Sequence, residues 1–421
     1  MSETLLPPLG PELLPRGLRS RFVDGVNGLR VHLLEAGHET PGRPLVLLLH
    51  GFPELAYSWR HVLPTLAAAG FHAVAADQRG YGRTTGWQAD YDADYSGFGM
   101  FNLARDALGL VAALGRRQVA AVVGHDFGAP LAAWCALLRP DVFTRLVLMS
   151  APFGGPPPLP KRGAAAGEAA GAPAPTPTAA PALDQALAAL PRPRKHYQWF
   201  YSQREANADL WQAPQGVHDL LRAYYHHKSA DWLYDQPHDQ PHDQSHKQPH
   251  DRPNNQPEPL SGWSAEQLAR LPNYYVMDLH QGMAETVAAE MPTPAQIQAC
   301  QWLPEAALRV YSDEYQRTGF QGGLNWYRCA TDPRQQALLQ LFAGRVVEVP
   351  SLFIAGASDW GVHQKPGALA LMQAGACRDL RGVHLVPGAG HWVQQEQAEA
   401  VNRLLLGFLG SAESAPMASP P

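Results

Sequence analysis

At 421 residues, 45% of them hydrophobic, the chain is long enough to bury a large core as one enlarged domain or two. A net charge of −5 with no basic cluster excludes nucleic acid as an expected partner. Four scattered cysteines (Cys135, Cys300, Cys329, Cys377) without a CxxC pair argue against a disulfide framework and a zinc site, and no apolar run is long enough for a bilayer.

Met1 to Pro15 mixes leucines with prolines and glutamates and lacks the cationic start of a signal peptide, so a cytoplasmic protein is expected. Ser20 to Asp24 and Leu29 to Glu35 flank Asn27-Gly28 and predict a hairpin with a tight turn. Apolar runs at Leu45 to Leu49, Ala73 to Ala76, Val119 to Val123 and Leu146 to Met149 read as buried parallel strands. Trp59 to Ala69 and Leu103 to Leu114 have the length and period of the helices that would cover them, and Pro130 to Leu138 is also helical in pattern. The alternation predicts an α/β fold, a doubly wound, mostly parallel sheet with ligands at the carboxyl ends of its strands.

The alternation stops after residue 154. Residues 155–193, rich in Ala, Pro and Gly, are expected to form no packed core. From His196 to Tyr234 and from Trp263 to Arg328 the chain is aromatic-rich and mostly helical in character, which places a helical lid over residues 155–342. Residues 236–251 read QPHD, QPHD, QSHK, QPHD inside a second expected disordered insert, 235–259. The repeated prolines exclude the helix that would align His238, His242, His246 and His250, so a solvated loop is preferred to a metal site. The sheet grammar resumes at Val349 to Ala355 and His384 to Val386, closing a core of residues 1–154 and 343–409 ahead of a loose tail, 410–421.

Chemistry concentrates at the ends of the predicted strands. Gly124-His125-Asp126-Phe127-Gly128 has the form of a nucleophile elbow, with small residues permitting a strained turn. The nucleophile position holds Asp126. A carboxylate is already ionised at neutral pH and suits displacement at a strained or activated sp3 carbon. Later in the chain come Asp359, at a strand end, and His391, on a small-residue loop, in the order nucleophile, acid, histidine. Asp359 would orient His391, and His391 would activate water. The Phe52 N–H, in the turn after Leu45 to Leu49, and the Phe127 N–H are the expected oxyanion-hole donors. His50 and His125 are read as shaping loops, and Arg79 as tying one.

These motifs resemble a known family. HGFPE at 50–54, DQRGYGRT at 77–84, GHDFGA at 124–129 and GAGHW at 388–392 look like the epoxide hydrolases of the α/β-hydrolase fold. The resemblance covers nearly the whole chain apart from the inserts and tails. It implies a small-molecule epoxide and water as partners, neither nucleic acid nor membrane, and no cofactor or metal. It also implies two lid tyrosines that polarise the epoxide oxygen. Tyr327 holds one such place, in GFQGGLNWYR at 319–328, and Tyr197, before Gln198, is preferred to Tyr201 for the other. Trp199, Trp326 and Phe320 are the expected substrate contacts. Dehalogenases of the same fold also use aspartate, and an indole N–H of Trp199 or Trp326 would suit a halide. Phe127 stands where the family commonly has tryptophan, which weakens that alternative.

Overall fold

The computed structural model describes residues 6–159, 180–232 and 257–410. Its strands are β1 (Arg19–Val26), β2 (Leu29–Ala36), β3 (Leu45–Leu49), β4 (His72–Ala76), β5 (Ala121–His125), β6 (Leu146–Met149), β7 (Arg194–His196), β8 (Val276–Asp278), β9 (Ser351–Gly356) and β10 (Leu380–Val386). Among the described residues, eight of them form one sheet in the order β1-β2-β4-β3-β5-β6-β9-β10. The β1–β2 and β2–β4 pairs are antiparallel and the others parallel. The fold is thus the expected α/β arrangement with a mostly parallel sheet. The central strands β3, β4, β5, β6 and β9 are buried along their whole length, which is why they read as unbroken apolar runs.

The hairpin turn falls at Asn27 and Gly28, both at positive φ (49° and 81°), the backbone that a two-residue turn between twisted strands requires. Several predicted elements shift. Trp59 to Ala69 is a 3-10 turn, Ala56–Trp59, followed by a helix, Leu63–Ala68, because Pro64 is tolerated only in a helix's first turn. The third strand lies at Ala121–His125, and Val119 makes only an isolated bridge to Phe143. β10 begins at Leu380, four residues before the predicted start; as an edge strand it is half-exposed and interrupted by Arg381 and Gly382, which hid its first half.

Between β6 and β9 the chain makes its helical excursion, including Tyr197–Tyr201, Gly216–His227, Glu305–Thr318 and Gln321–Thr331. β7 and β8, which periodicity did not reveal, pair within it from Arg194↔Asp278 to His196↔Val276. The expectation of no packing across 155–193 fails at its end. Ala180–Ala188 is a helix with Leu187 fully buried, its leucines being spaced to face one side despite the Ala/Pro composition. The QPHD repeat lies outside the described residues, as do the tail beyond Gly410 and most of the second insert.

The excursion rests on the loops that follow β3 and β4. Tyr225 O–H donates to the Pro53 carbonyl at 2.9 Å, and Trp326 Nε1–H to the Arg79 carbonyl at 2.9 Å. Gly322 and Gly80 meet so closely that a Cβ on Gly322 would stand 2.0 Å from the Gly80 carbonyl oxygen.

Candidate active site

β5 ends at His125 and the next helix, Gly128–Leu138, begins three residues later, so Asp126 and Phe127 must turn the chain within one step. Asp126 has φ of 51°, a region that few non-glycine residues enter, and tertiary packing must hold it there. The flanking glycines are required sterically. A Cβ on Gly124 would meet the Gly128 carbonyl oxygen at 2.1 Å, and one on Gly128 would meet the Leu49 carbonyl oxygen at 2.3 Å.

The carboxylate is held from two sides. Oδ1 accepts the Phe52 N–H at 3.0 Å, while Oδ2 lies 3.1 Å from His391 Nε2. On the other edge of that imidazole, Nδ1 is 3.1 Å from Asp359 Oδ1, which also accepts the Gly361 N–H at 2.7 Å. The ends of β5, β9 and β10 thus bring Asp126, Asp359 and His391 into one line. The Phe127 N–H follows the carboxylate at the N-cap of its helix, a position with no intrahelical acceptor.

Electrostatics fix the charge states. Burial opposes ionisation of Asp126, but the His391 hydrogen bond and charge, with Lys228 behind them, hold its pKa well below the usual carboxylate range. Asp359 behaves alike: burial raises it, and the charge and hydrogen bond of His391 more than offset that. Tyr197 and Tyr327 are both pushed well above the ordinary phenol value, chiefly by burial and then by charges that include Asp126. They are proton-bearing donors at any physiological pH.

A cavity of about 580 Å³ opens above the carboxylate, lined by Asp126, Phe127, Tyr197, Trp199, Trp326 and Tyr327 among others. The two tyrosine rings lie 5.8 Å apart, centroid to centroid. Tyr197 O–H donates to Gln364 Oε1 at 2.9 Å and accepts from Gln198 Nε2 at 3.1 Å. Tyr327 O–H has no hydrogen-bond partner among the described residues. Tyr201 is fully buried behind Tyr197 and Tyr327, 5.6 and 5.0 Å from their rings, and does not line the cavity. Phe320, an expected substrate contact, does not reach the cavity either. It is stacked on Tyr315 at 4.4 Å and stands behind Phe52, so it backs the turn after β3. The Trp326 indole N–H is spent on the Arg79 carbonyl, so it is not available to a halide.

The neighbouring polar residues hold loops. His50 Nδ1 is 2.8 Å from the Gly51 carbonyl, and its Nε2 accepts the Gln78 N–H. His125 bridges buried Glu54 at 2.5 Å and the His391 carbonyl at 2.7 Å. Arg79 is bidentate to Asp106, 2.7 Å for each bond. Two residues that sequence reasoning passed over, Gln364 and Glu396, also touch the site's framework. Glu396 accepts N–H bonds from Gly390 and Trp392, on either side of His391, at 2.9 Å each, and from Ala230 at 2.8 Å. His391 N–H itself donates to the Lys228 carbonyl at 2.8 Å. Nothing in local pattern marks either residue.

Comparison with known proteins agrees with this geometry. A family described as alpha/beta hydrolase fold matches residues 44–249. Epoxide hydrolase B of Mycobacterium tuberculosis is 31% identical over 392 residues, covering 91% of this chain and 96% of its own. Epoxide hydrolase A of the same organism is 33% identical over 406 residues, covering 93% and 98%. Among solved structures, an epoxide hydrolase from an endophytic Streptomyces superposes with a TM-score of 0.70 at 32% identity, over 95% of this chain and 98% of that one. By sequence across nearly its full length and by structure, the chain belongs to the epoxide hydrolases of the α/β-hydrolase fold.

Proposed function

We propose that this enzyme converts an epoxide to a vicinal diol through a covalent ester on Asp126. The observation that carries the reading is the meeting, at one cavity, of an ionised carboxylate backed by His391 and Asp359 with two protonated phenols. Oδ1 is held by the Phe52 N–H, so Oδ2 attacks a ring carbon and forms a C–O bond while the ring C–O bond breaks. Tyr327 and Tyr197 hydrogen-bond the departing oxygen, and one of them protonates the alkoxide. His391, oriented by Asp359, then takes a proton from water as that water attacks the ester carbonyl. The Phe52 and Phe127 N–H groups stabilise the resulting oxyanion. Collapse expels the diol oxygen, which takes the proton from the His391 imidazolium. The proton left on the Asp126 carboxyl passes through solvent to the phenolate, restoring carboxylate and phenol, while the helical segment over the strand ends acts as the lid that excludes bulk water.

The occupied Trp326 N–H and Phe127 in place of an indole weigh against halide release as the chemistry. The test is intact-protein mass on His391→Gln after brief exposure to styrene oxide or, separately, a haloalkane. An adduct of the whole epoxide on the Asp126 peptide is expected. An alkyl adduct with halide loss would move the reading to a dehalogenase, and no adduct from either would sink the covalent mechanism.

A further inference from the structure

Lys365 stands on the cavity wall one residue beyond Gln364, the acceptor of the Tyr197 hydroxyl. It has no carboxylate partner among the described residues. The charges lining the cavity are uneven: Lys365 and Arg105 are cations, and apart from Asp126 there is no acid among the described lining residues. Arg105 is likewise without an ion pair there; its guanidinium donates only to Asn102 Oδ1, at 3.3 Å. His196, also on the wall, adds no positive charge, because burial and then the charge of Lys365 pull its pKa down to about 3.

We infer that the cavity takes an epoxide that carries a compact anionic group, and that Lys365 is the residue that binds that anion. The inference rests on the epoxide reading above and extends it to a substrate class. Asp126 must be ionised to react, and it repels any anionic substrate brought within a few ångströms. A cation on the same wall offsets that repulsion and directs the anion away from the nucleophile. Lys365 is exposed, yet enclosed enough that burial lowers its ammonium pKa while the Asp126 charge raises it. An anionic ligand would restore what that partial desolvation removes. The apolar and aromatic part of the wall, among them Phe127, Trp134, Phe153 and Trp199, accommodates the carbon skeleton.

The experiment compares 4-(oxiran-2-yl)benzoate with its methyl ester, at low and high salt, in the wild type, Lys365→Met and Lys365→Glu. The wild type is expected to favour the acid over the ester in kcat/KM by roughly tenfold, the worth of one charge-assisted hydrogen bond, with the preference shrinking as salt rises. Lys365→Met should erase the preference and Lys365→Glu reverse it. An ester-preferring wild type, or an acid-to-ester ratio identical in wild type and Lys365→Met, overturns the inference. Calorimetric titration with benzoate, which cannot react, separates the two readings. If neither epoxide turns over but benzoate binds more weakly to Lys365→Met than to the wild type, the epoxide reading falls and the anion site stands. Equal benzoate affinity in both proteins removes the anion site whatever the turnover.

Discussion

Tyr197 and Tyr327 are chemically alike but differently committed, and that asymmetry makes a sharp prediction. Both rings are locked by aromatic neighbours, Tyr327 by Phe52 at 5.4 Å and Phe127 at 5.2 Å, so Tyr→Phe removes a hydroxyl without moving a ring. Losing one donor to a developing oxyanion costs about 2.7–4 kcal/mol, or roughly 10²–10³ in rate, unless the second donor covers for it. Each single Phe variant is therefore expected to slow ester formation by up to about 10³, and the double variant by about 10⁴ or more. Stability divides differently. Tyr197→Phe leaves Gln364 Oε1, on a buried residue, without the phenol it accepts from. That orphaned acceptor costs about 1–3 kcal/mol. Tyr327→Phe breaks no described bond and should stay within about 0.5 kcal/mol of wild type. Rapid-quench mass spectrometry on styrene oxide reads ester formation, and urea unfolding reads stability. A double Tyr197→Phe, Tyr327→Phe protein forming ester at the wild-type rate would refute the donor roles; equal stability of the two single variants would refute the Gln364 link.

Three further outcomes are expected. Glu396→Ala should release the amides of Gly390, Trp392 and Ala230 and let the His391 loop drift. A shift of about 1 Å in a base costs on the order of 10² in rate, so the ester should accumulate while its formation slows far less. Glu396→Gln, which keeps an acceptor oxygen, should recover part of the loss; equal slowing of both steps would show a merely structural role. Gly124→Ala should destabilise the fold by at least about 1–3 kcal/mol, because its Cβ meets backbone atoms of Gly128 that cannot move aside; wild-type urea stability would contradict this. Asp359→Asn probes linkage. The Asp359 pKa is depressed in the fold, so its contribution is fully present above the unfolded value of about 3.9 and is lost as pH falls toward the folded value. The stability gap between wild type and variant should therefore be constant from pH 7 to 5 and narrow below about 4; a gap that widens on acidification would reverse the sign of the argument.

What was legible in the chain follows from how each role is specified. β3 and β6 lie where their apolar runs do, since a strand buried on both faces has nothing to interrupt it. Asp126, Asp359 and His391 could be singled out as candidates that the structure brings together because their positions are dictated by backbone: a turn between two glycines, and loops after strands whose order is known. Tyr197 and Tyr327 came only through resemblance, since nothing in a helical pattern distinguishes a cavity-facing tyrosine from a packed one. Phe320 shows the cost of that ambiguity: a motif neighbour of Tyr327, it turned inward to stack on Tyr315. The helix Ala180–Ala188 was hidden by composition, its two buried leucines outweighed by alanine and proline on either side.

Gln364 and Glu396 were illegible for a deeper reason. Each acts by accepting a proton-bearing group from a different part of the chain, Gln364 from a residue 167 positions earlier and Glu396 from Ala230, 166 positions earlier. Both of those partners lie on the helical excursion, whereas Gln364 and Glu396 belong to the final part of the sheet domain. The same division runs through the proposed reaction. The sheet provides nucleophile, base and oxyanion donors, and the excursion provides the phenols. Ester formation thus needs both halves in register, while ester hydrolysis draws on the excursion through the Tyr225, Lys228 and Ala230 contacts that hold the His391 loop and through Tyr225 and Phe320 behind the Phe52 loop. Substitutions on the excursion that spare those contacts should therefore depress the first step alone, and a variant there that slowed hydrolysis without touching the His391 loop or the Phe52 loop would break this division of labour.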